Sequence, residues 1–446
     1  MRNTIREWQN QLDMLYGRIG KYFKRAEPRE RAKRYIEGLL SETRRKNGWQ
    51  LAEHAGERCP DGMQRLLSSA VWDSARVRDE VRSYVSEHLA TSDGVLILDE
   101  TGFLKKGDSS VGVKRQYSGA AGGIENCQIG VFLAYASERG QALIDNRLYL
   151  PKDWCADQAR REIAQIPTAI QFATKPQLGL DMLDKARAAG VPHQWITADT
   201  IYGNDRHLRT WLEDRREWYV MGITRDALLY YEGYRQRFDE IAADLPLERW
   251  QYASCGSGTK GERVYDWAMV TWHHADQPVD VMHAFLVRRS LTDPTDEAYF
   301  RVFAPADTPL QTLVQVAGRR WAIEECFEFA KGQLGMNQYE ARLWPAWHRH
   351  IILSMLALAF LAVIRFHARP HSSQKKRRVE RLRSCRSRSQ KFGVCSFSIG
   401  GIFPPYATRY IGCAGGAFIS FVLTSPTYAV NNAFSPICGC RARAIS

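Results

Sequence analysis

The spacing of apolar and polar positions changes twice along the chain. Up to about residue 90, apolar residues recur at helical spacing among many Arg and Glu, with a break at Cys59-Pro60-Asp61-Gly62, which predicts a helical N-terminal domain over 1–90. From residue 94 the period shortens. The run GVLILD (94–99) reads as a strand buried on both faces, while QIGVFLAYAS (128–137) and QALIDNRLYLP (141–151) flank the hairpin signal Glu138-Arg139-Gly140. KPQLGLDMLDKARAAG (175–190) then carries Leu178, Met182, Leu183 and Ala186 at helical spacing and ends on glycine. QWITAD (194–199) is a short buried strand, followed by a helix over 205–215 and the strand EWYVMGI (217–223).

Three strands, helix, strand, helix, strand is an α/β order. A right-handed crossover through 175–190 lays strand 194–199 beside strand 94–99 and brings Asp99 and Asp199 to one rim, at the carboxyl ends of their strands. Residues 225–305 switch to aromatic-rich strands, VYDWAMVTW (264–272), VDVMHAFLVRR (279–289) and EAYFRVFAP (297–305), a β-rich insertion. Thr308-Pro309 reads as a cap and first-turn proline opening one long helix to about Leu334. Ile351–Ile364 is the most apolar run, but its 14 residues fall short of the roughly 20 that span a bilayer, so it is expected to be a buried helix in a cytosolic protein. Trp347-His-Arg-His350 just before it reads as a helix-start surface.

Composition adds one distinction. The chain has 446 residues, 45% apolar and 25% charged, the balance of a globular protein, with a formal charge of +13. Residues 371–446 hold 12 of the 62 Lys/Arg and one acid, Glu380, which leaves 50 basic against 48 acidic side chains in the preceding 370. Five of the ten cysteines also fall in this last stretch, and none forms a Cys-x-x-Cys pair of the kind a zinc ribbon or redox motif uses. The segment 370–446 lacks helical or alternating periodicity. It reads either as a basic DNA-binding arm or as a tail translated out of frame from about residue 369, and the second reading is preferred.

Candidate chemistry sits on the rim. Asp99 and Glu100 follow four apolar residues directly, and Arg320, Glu324, Glu328 and Lys331 lie on one helical face at spacings of four, four and three. A solvated salt-bridged face would explain the second set equally well, and Asp205 reads as a helix cap. The segments DETGFLKKG with KRQYSGAAGGIENCQIGVFLAYAS (114–137), ITADTIYGND (196–205), and Arg320, Glu324 and Lys331 at three- and six-residue intervals resemble the DDE transposases of bacterial insertion sequences. Ala317 stands where that family's signature has tyrosine.

The resemblance spans about 92–350 and implies an RNase H-like mixed-sheet core, interrupted by a β-rich insertion and preceded by a helical domain for DNA-end binding or dimer contacts. The core would occupy 91–224 and 306–369, with the insertion at 225–305. It implies a catalytic triad of Asp99, Asp199 and Glu324 holding two Mg²⁺ ions, with Mn²⁺ able to substitute. Arg320, Lys331, Lys105, Lys106, Lys114 and Arg115 are the expected DNA contacts. The implied partners are double-stranded DNA, as element ends and target, and a second copy of the chain, in the bacterial cytoplasm at the nucleoid and away from membranes. Glu100 competes with Asp99 for the first role and is expected to point away from it, and Glu328 competes with Glu324. Trp267 and Trp272 are expected to pack in a core rather than stack on a base. A DNA-binding copy without catalysis, or a nuclease without strand transfer, are the competing readings.

Overall fold

The computed structural model describes residues 2–369, except 232, 259–260, 273–277 and 294, together with a short pairing of Gly412–Cys413 with Gly416–Ala417. The anomalous tail expected over 370–446 therefore lies, apart from those four residues, outside the described residues.

Five helices come first: α1 (Arg2–Gly20), α2 (Ala26–Leu40), α3 (Gly48–His54), α4 (Asp61–Ser68) and α5 (Ser74–Leu89). The first strand β1 (Val95–Leu104), β2 (Lys114–Ser118), β3 (Gly123–Ala136) and β4 (Gln141–Tyr149) follow, then the short helices α6 (Lys152–Ala156) and α7 (Gln158–Ile163). The crossover helix α8 (Lys175–Ala188) leads to β5 (Trp195–Ala198), α9 (Thr200–Gly203), α10 (Arg206–Glu213) and β6 (Trp218–Ile223). A reciprocal cap fixes the start of α8: Thr174 accepts from Gln177 N while the Gln177 side chain accepts from Thr174 N.

Strands β4, β3, β1, β5 and β6 lie side by side in that order, with β3 antiparallel to β1 and β4, and β5 parallel to both β1 and β6. This is the RNase H-like mixed sheet that the resemblance implies, with the two strands that the crossover makes neighbours at its centre. The crossover through α8 is what makes β1 and β5 parallel neighbours.

The inserted segment carries the small hairpin β7 (Leu228–Tyr231) and β8 (Tyr234–Arg237), α11 (Phe238–Ala243), and strands β9 (Gln251–Gly258), β10 (Gly261–Trp272), β11 (Val281–Arg289) and β12 (Glu297–Pro305). Its four long strands do not build a separate sheet. β12 pairs antiparallel with β6, Tyr299 opposite Ile223, and carries the central sheet outward through β11 and β10 to β9, ten strands in all. A second apolar cluster, including Phe238, Ile241, Val270, Phe285 and Val287, packs this extension. Trp272 is buried in this second cluster and Trp267 in the main core, at 6% and 1% exposure, so both are core residues.

Three helices close the described chain: α12 (Leu310–Arg319), α13 (Trp321–Gly332) and α14 (Trp344–His367). The single helix expected from Thr308 to Leu334 is thus two. The bonds tighten around Arg320, whose N–H reaches Ala317 O (3.4 Å) while Ile323 N–H reaches Arg320 O (3.3 Å), and Thr308 bonds back to Pro305 O rather than capping. Gly318 lies against β9 so closely that a Cβ there would stand 2.0 Å from Cys255 O. Ala317, at the place of the signature tyrosine, is buried beside Gly318 at 7% exposure, on the helix that packs against β9.

Helix α14 is long and apolar enough to cross a membrane by composition, yet most of it is buried, between α2, α4 and α5 on one side and β4 on the other. Trp347-His-Arg-His350 is consequently not a surface. Trp347 and His350 are fully buried, with Trp347 Nε1 donating to Tyr339 Oη (3.0 Å) and His350 hydrogen-bonded to Tyr35 Oη (2.8 Å). Beside α14, fully buried Asp145 on β4 accepts from Arg82 of α5 (2.8 Å) and from Arg147 (2.6 Å), and Arg78 of α5 approaches it at 3.1 Å. A buried carboxylate is tolerable only with such compensation, so this cluster fastens the N-terminal helices to the sheet.

Candidate active site

The register of the parallel pair creates the site. β1 and β5 match from Val95 opposite Trp195 to Leu98 opposite Ala198, and the next residue on each chain is an aspartate, Asp99 and Asp199. β1 itself does not end there, as the sequence suggested. It continues beside β3 to Leu104, with Asp99 opposite Phe132, and only its β5 side is left open. β5 ends because Asp199 accepts a hydrogen bond from Ile201 N (3.0 Å) and caps α9. The turn then presses onto β6: a Cβ on Gly203 would lie 1.9 Å from Gly222 O, so only glycine allows this approach.

Burial is the main perturbation of both acids. It pushes the Asp99 carboxyl up to about 8, with Arg320 opposing and Asp199 and Glu100 adding to the rise. Asp199 is pushed up to about 6, again by burial first and then by Glu100. One carboxylate oxygen each from Asp99, Glu100 and Asp199 lies within 4.8 Å of the other two. Such a crowded set of hard oxygen donors fits Mg²⁺ or Mn²⁺.

Glu324, in the first turn of α13, stands one guanidinium away. Arg320 bonds Asp99 Oδ2 through Nη1 (3.1 Å) and Glu324 Oε1 through Nη2. The helix break at Arg320 thereby places an arginine between the strand acid and the helix acid. Glu325 turns aside to bond Gln141.

Glu100 is placed differently from its expectation. Its carboxylate comes back beside Asp99 and Asp199, held by Lys175 Nζ on Oε1 (2.7 Å) and by Tyr202 Oη on Oε2 (2.8 Å). The sequence signal for this contact was weak: Tyr202 shares the ITADTIYGND turn with Asp199, and Lys175 opens the crossover helix.

The expected DNA contacts divide. Lys331 points inward, donating to Thr101 Oγ1 (2.6 Å) and Gly102 O (3.0 Å), and burial depresses its ammonium to about 8. Lys105 donates to Tyr339 O (3.1 Å) and lies 3.5 Å above that ring, likewise depressed to about 8 by burial. Lys114 is paired with Asp153. Lys106 and Arg115 are exposed and have no ion-pair partner among the described residues.

This fold and this acid cluster define a class, the endonucleases with RNase H-like cores. The sequence pattern of the DDE superfamily endonucleases matches residues 18–240, half of the chain, and the chain belongs to that family. The chain is also 24% identical over 320 residues to the probable transposase for insertion sequence element IS701 of Microchaete diplosiphon, covering 69% of this chain and 76% of that one. The family match includes Asp99, Glu100, Lys175, Asp199 and Tyr202 but stops short of Glu324.

Proposed function

We propose that the chain performs cut-and-paste transposition: it cleaves DNA at the ends of an insertion element and joins the released 3′-hydroxyls to target DNA. Asp99, Asp199 and Glu324 are the proposed metal-holding acids. The observation that carries the reading is the placement of two aspartates side by side by the β1–β5 register, with Glu324 joined to Asp99 through Arg320.

When bound, a pair of Mg²⁺ ions, or Mn²⁺ in their place, would lower the pKa of an attacking hydroxyl and neutralise charge on the leaving oxygen. Asp99 would give up its proton on loading, since its carboxyl is held protonated near neutrality by burial. Arg320 would be released from Asp99 and Glu324 and turn toward a DNA phosphate, the guanidinium being suited to bidentate contact with phosphate oxygens. In cleavage, water adds to the phosphorus and the 3′-oxygen leaves with a proton. In joining, that 3′-hydroxyl forms a new P–O bond as a target P–O3′ bond breaks. Two ends must be processed together, which supports a dimer.

The test is incubation of the purified chain with a labelled terminal duplex and Mg²⁺. Nicking followed by joined products is expected, and alanine at Asp99, Asp199 or Glu324 should abolish both while sparing binding. Cleavage retained by one of these variants would remove that residue from the triad. Binding with no cleavage by the unmodified chain would favour a non-catalytic DNA-binding protein, and cleavage without joining a simple nuclease.

A further inference from the structure

Past Leu98 and Ala198 the β1–β5 ladder stops, so backbone pairing no longer fixes the distance between Asp99 and Asp199. Two crowded carboxylates repel, and nothing in the ladder resists their separation. The segments that carry them are nevertheless cross-linked one and three residues further on. Tyr202, fully buried on the turn that Asp199 opens, donates its hydroxyl to Glu100 Oε2 (2.8 Å). The other oxygen of Glu100 accepts from Lys175 (2.7 Å), whose side chain is 20% exposed against 14% for Glu100.

We propose that Glu100 is a positioning residue: it clasps Tyr202 to hold Asp99 and Asp199 at the spacing that loads a divalent cation. It acts through these neighbours: Tyr202 and Lys175 hold its two oxygens, and Asp99 and Asp199 hold the cation. Outer contacts of this kind typically change metal affinity by about 10- to 100-fold when removed. The inference rests on the metal-bearing reading of Asp99 and Asp199.

Glu100→Gln alone cannot decide the matter, since removing any nearby negative charge weakens cation binding. Tyr202→Phe keeps every charge and deletes only the clasp. The experiment is Mn²⁺ titration of the full-length chain without DNA, with free Mn²⁺ followed by electron paramagnetic resonance, alongside thermal unfolding in chelator. Tyr202→Phe is expected to weaken Mn²⁺ binding about tenfold, and to have no further effect in a Glu100→Ala background, because alanine has no acceptor for the tyrosine hydroxyl and the two changes break the same link. Unchanged or tighter Mn²⁺ binding in Tyr202→Phe would overturn the proposal; tighter binding would mean that a released Glu100 is itself a ligand. A lowered unfolding temperature with unchanged affinity would also overturn it, leaving the contact merely structural. Should Tyr202→Phe fail to fold, Lys175→Met remains decisive, because loss of a nearby positive charge alone would tighten Mn²⁺ binding: weaker binding is expected from a loosened Glu100, and unchanged or tighter binding would overturn the clasp. Asp99→Asn separates this idea from the reading beneath it: if Asp99→Asn leaves Mn²⁺ binding intact, the metal site itself is misplaced, whereas loss of binding there with full affinity in Tyr202→Phe rejects the clasp alone.

Discussion

Replacing Asp99 by asparagine should make the metal-free protein more stable at alkaline pH, although the residue is proposed as essential for chemistry. Burial raises its carboxyl from 3.8 to about 8, so between those values the folded chain binds a proton that the unfolded chain has released. Folding stability therefore falls as pH rises through this window and is lowest, on this group's account, above pH 8. At about 1.4 kcal/mol per pH unit, the window bounds the effect at roughly 6 kcal/mol. Asparagine keeps an oxygen for Arg320 but gives up the charge-assisted contact at 3.1 Å, which offsets part of the gain. A net stabilisation of about 1–3 kcal/mol at pH 8, shrinking toward zero or reversing near pH 4–5, is expected. Denaturant unfolding of both proteins in chelator at pH 5, 6.5 and 8 measures it. Asp199→Asn should behave alike over a narrower window ending near pH 6. An Asp99→Asn protein that is less stable than its parent at pH 8, or whose difference does not grow with pH, would show that the aspartate is not held in a buried, under-compensated site.

Arg320 and Lys331 allow two further tests. Arg320→Gln removes the cation that bridges Asp99 and Glu324, so Mn²⁺ affinity without DNA should rise on the order of fivefold while binding of a terminal duplex weakens; unchanged Mn²⁺ affinity would mean the guanidinium does not compete with metal. Lys331→Met breaks bonds to Thr101 and Gly102 beside Asp99 and should cost about 1–3 kcal/mol of stability without altering the salt dependence of DNA binding. Arg115→Ala, by contrast, should leave stability unchanged and reduce the salt slope by about one, and equal slopes for both variants would reject this division of roles.

Much of this arrangement was legible in the sequence because it depends on periodicity. Four apolar residues before Asp99 and the short run Trp195–Ala198 before Asp199 announce buried strands, Leu178, Met182, Leu183 and Ala186 announce α8, and a right-handed crossover then leaves little choice of neighbours. What escaped was the choice of partner. Alternation along β1 sends Asp99 and Glu100 to opposite sides, and the strand gives no hint that Tyr202 and Lys175 draw the longer glutamate side chain back. Lys331 falls at the spacing of a phosphate contact, yet a lysine stem is long enough to turn under the helix to Thr101. The break at Arg320 depends on Gly318 meeting the carbonyl of Cys255, a contact between residues more than 60 positions apart. For the same reason the aromatic strands of the insertion were recognisable as strands, but their continuation of the central sheet from β6 was not.

The central claim is that one metal-bearing site is assembled from β1, the turn after β5, and α13. Loading the full-length chain with Fe²⁺ in place of Mg²⁺ and generating hydroxyl radicals with ascorbate and peroxide cuts the polypeptide beside the bound ion. Fragments ending near residues 99, 199 and 324, all suppressed by excess Mg²⁺ and by Asp99→Asn, are the predicted result; cuts at 99 and 199 without any near 324, or cuts confined to other parts of the chain, would contradict it.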